Sequence, residues 1–149
     1  MSRLTRGERR SLTRRGESAE LLVVGLGNPG LEFANTRHNV GREVIDEVVK
    51  RHNSSLKTGK EQALVSEVRH EGKLIVFAIP MTFMNDSGIA VAKLMRRYGL
   101  SEVKKLLVVH DELDLEVGHI RLKEGGGLAG HNGLRSVKQH LKNPGFCRI

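Results

Sequence analysis

The sequence predicts an α/β domain with a mixed, twisted sheet and helices on both faces. Three observations support this class. Short apolar runs of strand length recur along the chain, apolar residues recur at helical spacing between them, and two β-rich runs are joined by Glu71-Gly72. Strands that alternate with helices favour a parallel sheet, whereas a hairpin adds an antiparallel pair.

The first strand and the first helix follow from the spacing of apolar residues. Residues 21–26 form an apolar run that leads into a Gly/Pro-rich turn, Gly25-Leu-Gly-Asn-Pro-Gly30. A polar loop continues to His38. Apolar residues then recur with helical periodicity, which predicts an amphipathic helix over residues 40–52.

The middle of the chain predicts a hairpin followed by a helix. Residues 62–70 and 73–79 are the two β-rich runs, and Pro80 ends the second. The segment Asn85-Asp-Ser-Gly88 has the chemistry of a helix N-terminus, and the helix after it ends near Gly99.

The last third of the chain adds a strand, an alternating segment and a helix. Residues 105–110 form an apolar strand, and residues 119–123 alternate between apolar and basic side chains. A Gly-rich loop precedes a helix over residues 132–142. Residues 146–149 begin a further strand.

Composition predicts one domain and a polyanionic partner. The 149 residues carry a formal charge of +8, and residues 1–19 contain six arginines against two glutamates. We therefore divide the chain into a basic, disordered leader at 1–19 and an α/β domain at 20–149. A basic balance favours nucleic acid as partner.

Composition also limits the compartment. No apolar run approaches the ~20 residues of a membrane span, so no membrane partner is expected. The single cysteine, Cys147, fits a reducing compartment, and we expect a cytoplasmic protein. The leader also has the Arg- and Ser-rich character of a transit peptide, which would make the protein organellar.

Polar residues stand where predicted strands end or helices begin, as ligand-binding residues do in α/β folds. This set is Asn28, His38, Asn85, Asp111 and Asn132. A purely structural interpretation remains open, in which Asn85 and Asn132 are helix N-caps and Asp111 is a turn residue.

Two other kinds of site have weak support. Gly25-x-Gly27-x-x-Gly30 matches the dinucleotide fingerprint, but no acidic residue ends a second strand about 20 residues later. The histidines lack zinc-ligand spacing, and His110-Asp111 alone is weak evidence for a metal-dependent phosphohydrolase. We therefore expect neither a cofactor nor a metal.

Five segments form a more specific pattern than any single motif. They are Val24-Gly-Leu-Gly-Asn-Pro-Gly30, Thr36-Arg-His-Asn-Val-Gly41, Thr82-Phe-Met-Asn-Asp-Ser-Gly88, Val109-His-Asp-Glu-Leu-Asp114 and Gly125-Gly-Gly-Leu-Ala-Gly-His-Asn-Gly-Leu134. In their order and spacing they resemble the bacterial-type peptidyl-tRNA hydrolase family, and the resemblance covers residues 21–149.

The resemblance implies a metal-free, monomeric esterase that cleaves the bond between a peptide and the 3′-terminal ribose of tRNA. It implies that His38 is the catalytic base and that Asp111 supports it. Asn28 would distinguish N-blocked peptidyl-tRNA from free aminoacyl-tRNA. The other implied substrate contacts are the aromatic residues Phe33 and Phe83, the amides Asn85 and Asn132, and the phosphate-binding candidates Arg121 and Lys123.

One departure from the family and the basic leader leave two alternatives open. The family continues beyond residues 146–149 with the rest of a core strand, a loop and a helix beside the substrate cleft. We therefore expect this sequence to be C-terminally incomplete, and an inactive truncated form is one alternative. The other is a non-catalytic RNA-binding relative of the organellar splicing-factor type, which the basic leader would suit.

Overall fold

The structure, a computed structural model, describes residues 17–27, 39–111, 123–124, 131–142 and 145–149. Within these ranges the strands are β1 (Leu21–Gly25), β2 (Lys57–Thr58), β3 (Ala63–His70), β4 (Lys73–Pro80), β5 (Leu106–Val109), β6 (Lys123–Glu124) and β7 (Cys147–Arg148). The helices are α1 (Val40–Arg51), α2 (Ser87–Arg97) and α3 (Asn132–Leu141), with 3-10 turns at Met84–Asp86 and Val103–Lys105.

The strands form one mixed sheet in the order β2-β3-β4-β1-β5-β7-β6. β1 pairs in parallel with β4 and β5, and β5 pairs in parallel with β7. The pairs β2–β3, β3–β4 and β6–β7 are antiparallel. Glu71 and Gly72 both have positive φ angles, as the tight turn of a hairpin requires. The predicted mixed sheet and its hairpin are therefore confirmed.

Helices cover both faces of the sheet. Successive residues of a strand point to opposite faces, so neighbouring residues of β1 pack against different helices. Leu22 and Val24 of β1 belong to the core beneath α2 and α3, whereas Val23 packs with Ile45 and Val49 of α1. The predicted α/β class is thus confirmed. No helix in the described ranges is both long and apolar enough to cross a lipid bilayer.

Residues 17–19, which the sequence analysis assigns to the leader, contact the domain. Ala19 is buried, and its N–H donates to Tyr98 O at 3.0 Å. Glu17 forms an ion pair with Arg69 of β3. The division into a leader at 1–19 and a domain at 20–149 stays a prediction, and residues 17–19 are the described part of that predicted leader. Residues 1–16 lie outside the described residues.

Tyr98, whose backbone oxygen accepts the hydrogen bond from Ala19, also makes a hydrogen bond through its side chain. Its side chain is buried, and its hydroxyl donates to Glu67 Oε1 at 2.9 Å. Burial raises the pKa of this hydroxyl, and the negative charge of Glu67 raises it further. The hydroxyl therefore stays protonated and keeps its donor role across the physiological range.

α2 and α3 approach each other closely at Gly88 and Ser136. The Gly88 N–H donates to Ser136 Oγ at 2.9 Å. A Cβ atom added to Gly88 would lie 2.1 Å from the Ser136 carbonyl oxygen. Only glycine permits this approach, which sets the position of α3 on the sheet.

We expect Gly88→Ala to lower the free energy of unfolding by about 1–3 kcal/mol, because the added methyl group overlaps backbone atoms. Urea unfolding followed by circular dichroism measures this change. Arg96→Ala, at an exposed position of the same helix, is the control and should change stability by less than about 0.5 kcal/mol. Equal stability of Gly88→Ala and wild type would contradict the close approach.

Candidate active site

The carboxyl ends of β1 and β5 meet at one edge of the sheet. Gly25 is in register with Val109, and the Leu26 N–H donates to Val109 O at 2.9 Å. Parallel strands thus bring the segment after Gly25 next to the segment that contains Asp111. This edge is the place where α/β folds bind ligands.

The first turn of α1 packs directly on these strand ends. A Cβ atom on Gly25 would lie 2.2 Å from Gly41 O, and one on Gly41 would lie 2.2 Å from Val109 O. A Cβ atom on Gly27 would lie 2.6 Å from Asn39 Oδ1. The residues that flank segment 28–38, Gly27 and Asn39, are therefore neighbours at this edge.

Asp111 is a buried carboxylate two residues after β5. Its side chain is 3% exposed, and its Oδ1 lies 2.9 Å from Nε2 of His131, whose side chain is 9% exposed. A buried carboxylate needs donors to replace water, and His131 supplies one. Asp111 thus links the end of β5 to the start of α3.

His131 also caps α3. Its Nδ1 accepts hydrogen bonds from the N–H groups of Gly133 at 3.1 Å and Leu134 at 3.3 Å. These are two of the N–H groups that a helix N-terminus leaves without intrahelical partners. His131 is not among the site residues that the sequence predicts.

His110 completes a compact polar cluster. A carbonyl oxygen can only accept, so His110 Nδ1 donates to Asp111 O at 2.6 Å. The rings of His110 and His131 meet edge to face with centroids 5.1 Å apart. Two imidazoles therefore flank Asp111 at the strand end.

The turn after β4 reaches the same edge. A Cβ atom on Gly133 would lie 2.6 Å from Met84 Sδ and 2.9 Å from Leu26 Cδ1. The end of β1, the 3-10 turn and the start of α3 are thus in contact. Asn85 and Asn132, the neighbours of Met84 and Gly133, are exposed at this junction.

Phe83, one residue before the 3-10 turn, is 62% exposed. Exposure of a large aromatic ring gains nothing for the core, so this ring is available to pack against a ligand. Among the described residues of the predicted site, Asp111 is buried at this edge of the sheet. Phe83, Asn85 and Asn132 are exposed beside it.

The N-cap interpretation of the two asparagines is wrong. Asn85 lies within the 3-10 turn, and the cap residue of α2 is Asp86, which makes no side-chain cap hydrogen bond. Asn132 is the first residue of α3, and His131 is its cap. The extra 3-10 turn moves the start of α2 beyond Asn85, and the imidazole occupies the capping position before Asn132.

Several predicted site residues lie outside the described residues. They are Asn28, Phe33, His38 and Arg121, and only the β6 backbone of Lys123 is described.

The chain is similar to proteins of one family over most of its length. The family profile described as "Peptidyl-tRNA hydrolase" matches residues 22–149. The peptidyl-tRNA hydrolase of Listeria welshimeri is 45% identical over 128 residues, which cover 86% of this chain and 69% of that protein. The peptidyl-tRNA hydrolase of Parvibaculum lavamentivorans is 46% identical over 129 residues, covering 87% of this chain and 62% of that protein.

A solved structure supports the same relationship. The crystal structure of peptidyl-tRNA hydrolase from Acinetobacter baumannii superposes with a TM-score of 0.82 and 41% identity, covering 89% of this chain and 67% of that one. The chain thus spans about two thirds of the length of these relatives. The family match, the identity to these relatives and the shared fold agree, and the chain belongs to the peptidyl-tRNA hydrolase family.

Proposed function

We propose that this chain hydrolyses the ester between a peptide and the 3′-terminal ribose of tRNA, with His38 as general base and Asp111 as its support. The observation that carries this proposal is the buried Asp111 carboxylate at the end of β5. It stands at the edge where α1 begins, and His38 immediately precedes Asn39, the residue before α1. The family relationship indicates which ester is the substrate, that of peptidyl-tRNA.

The chemistry of ester hydrolysis matches these residue types. A neutral imidazole accepts a proton from water as water attacks the ester carbonyl, which contributes about 10²–10⁴-fold to the rate. A carboxylate that accepts the other ring N–H fixes the tautomer and stabilises the imidazolium as it forms. Proton transfer through His38 in this way needs no bound metal.

Amide side chains contact the peptidyl end in this proposal. Asn28 distinguishes a blocked amino terminus from a free one. Asn85 and Asn132 donate and accept hydrogen bonds without adding charge, so they can position water, the peptide amides or the oxyanion. The exposure of both side chains beside the Asp111 edge supports this role.

Aromatic and basic side chains contact the RNA end. Phe83 and Phe33 pack against the terminal nucleotides, and stacking of this kind is worth about 1–3 kcal/mol per base. Arg121 and Lys123 contact the phosphate backbone, consistent with the net charge of +8. The exposed ring of Phe83 favours the stacking role.

We further propose that the protein acts as a monomer in the cytoplasm.

Incubation of the purified chain with N-acetyl-aminoacyl-tRNA, and in parallel with unblocked aminoacyl-tRNA, tests the function. We expect release from the blocked substrate only, and the same rate with EDTA present, because proton transfer through His38 requires no metal. The ratio of the two rates measures the discrimination assigned to Asn28.

A circular-dichroism melt of the same preparation reports whether the chain is folded. Tight RNA binding by folded protein without release would favour a non-catalytic RNA-binding role. Loss of release on adding EDTA would contradict the metal-free mechanism.

A further inference from the structure

His131 joins two parts of the proposed active site through opposite nitrogens of one ring. Its Nδ1 accepts from the N–H groups of Gly133 and Leu134, while its Nε2 lies 2.9 Å from Asp111 Oδ1. Both side chains are at least nine-tenths buried, so water competes little for these bonds. One ring therefore connects the carboxylate at the end of β5 to the N-terminus of α3.

The backbone of α3 determines where the proton of this ring resides. A ring nitrogen that accepts hydrogen bonds carries no proton, so the single proton of the neutral imidazole is on Nε2. Nε2 then donates to the Asp111 carboxylate. A second proton, on Nδ1, would remove the cap, so the capped geometry requires the neutral ring.

We propose that His131 is a positioning residue for catalysis: its neutral Nε2–H form holds the Asp111 carboxylate in the orientation that supports His38. This inference rests on the proposed function. The carboxylate torsion of an aspartate is intrinsically broad, so an unsupported carboxylate would sample many orientations. A donor whose own ring is fixed by two backbone N–H groups restricts that torsion.

The same ring also fixes Asn132, the residue next to it, relative to Asp111. Displacement of a group in an active site by about 1 Å can cost about 100-fold in rate. Asp111 is assigned to the support of the base and not to a substrate contact, so we expect loss of its contact with His131 to affect kcat more than substrate binding.

Two substitutions separate the capping and donor functions. In His131→Asn the side-chain oxygen takes the place of Nδ1 and can still cap the helix, but no atom reaches the position of Nε2. We expect kcat to fall about tenfold or more with KM close to wild type. The unfolding midpoint should also fall, because the buried Asp111 carboxylate loses a donor. In His131→Gln the amide nitrogen can reach the Nε2 position while the cap is lost. We expect kcat near wild type and a lower unfolding midpoint.

A spectroscopic measurement tests the tautomer directly. Long-range ¹H–¹⁵N correlation spectra of histidine-labelled wild-type protein should place the His131 proton on Nε2 at the pH of the assay. A proton on Nδ1, or a doubly protonated ring, would overturn the proposal. This measurement does not depend on the folding of any variant.

The outcomes separate this inference from the proposed function. If the folded wild type releases no peptide, the proposed function fails and the positioning role fails with it. If the wild type is active but His131→Asn keeps full kcat, the positioning role alone is overturned. If both variants lose kcat in parallel with stability, His131 is only structural. If His131→Asn does not fold, kcat of His131→Gln decides, and a large loss there overturns the proposal.

Discussion

Replacing His38 by alanine should lower kcat on N-acetyl-aminoacyl-tRNA at least about 100-fold, while the affinity for tRNA changes little. Alanine cannot accept the proton of the attacking water, and general-base catalysis is worth about 10²–10⁴-fold. In the proposed function, affinity for tRNA comes from phosphate and stacking contacts made by other side chains. Steady-state kinetics and a filter-binding assay measure the two quantities separately.

His70→Ala is the matched control, because it removes an exposed imidazole at the end of β3. We expect this control to keep wild-type kcat and wild-type affinity. Near-normal turnover by His38→Ala would rule out the assignment of the base. A parallel loss of tRNA affinity would instead place His38 among the binding contacts.

Much of the fold can be predicted from local patterns because its elements have strong periodicity. The apolar run before Gly25 becomes a central strand with parallel neighbours on both sides. The helical spacing after His38 becomes α1, and the Glu71-Gly72 turn closes the hairpin. Each of these signals is carried by residues adjacent in sequence. The order of the strands depends on long-range packing and is not encoded in any local pattern.

Features that depend on contacts between distant residues could not be predicted. The burial of Ala19 requires Tyr98, which is far along the chain, so a segment rich in arginine gives no local sign of it. Met84, in the 3-10 turn before α2, lies beside Gly133, which is far along the chain. Local cap chemistry at Asn85 and Asn132 therefore points to the wrong role.

The candidate site shows the same division. The position of Asp111 after an apolar strand is a sequence signal, and the structure places this carboxylate at the expected sheet edge. The contact of Asp111 with His131 joins residues twenty positions apart, and asparagine beside that histidine is the stronger N-cap by propensity. Gly133 is a local sign that side chains approach the start of α3 closely, because it leaves room for them.

Asp111→Asn should lower kcat by about 10²- to 10⁴-fold, although it replaces only one oxygen of the side chain by nitrogen. The reason lies in His131. Its Nε2–H donates towards Asp111, so the oxygen of the substituted amide must face His131 to accept that bond. The amide NH₂ group then points away from His131. A ring N–H of His38 that would donate to the carboxylate meets another donor, and the wrong tautomer of the base is favoured.

The measurement is kcat on N-acetyl-aminoacyl-tRNA, with a thermal melt of the same preparation to verify the fold. Asp46→Asn is the matched control, because it makes the same chemical change at an exposed position of α1 and should leave kcat unchanged. A variant that keeps both its melting temperature and its wild-type kcat would show that Asp111 does not support the base.

Combining Asp111→Asn with His38→Ala adds a second test. Because both residues act on one proton transfer, the double variant should lose about as much activity as His38→Ala alone. Multiplicative losses would mean that the carboxylate acts independently of the imidazole.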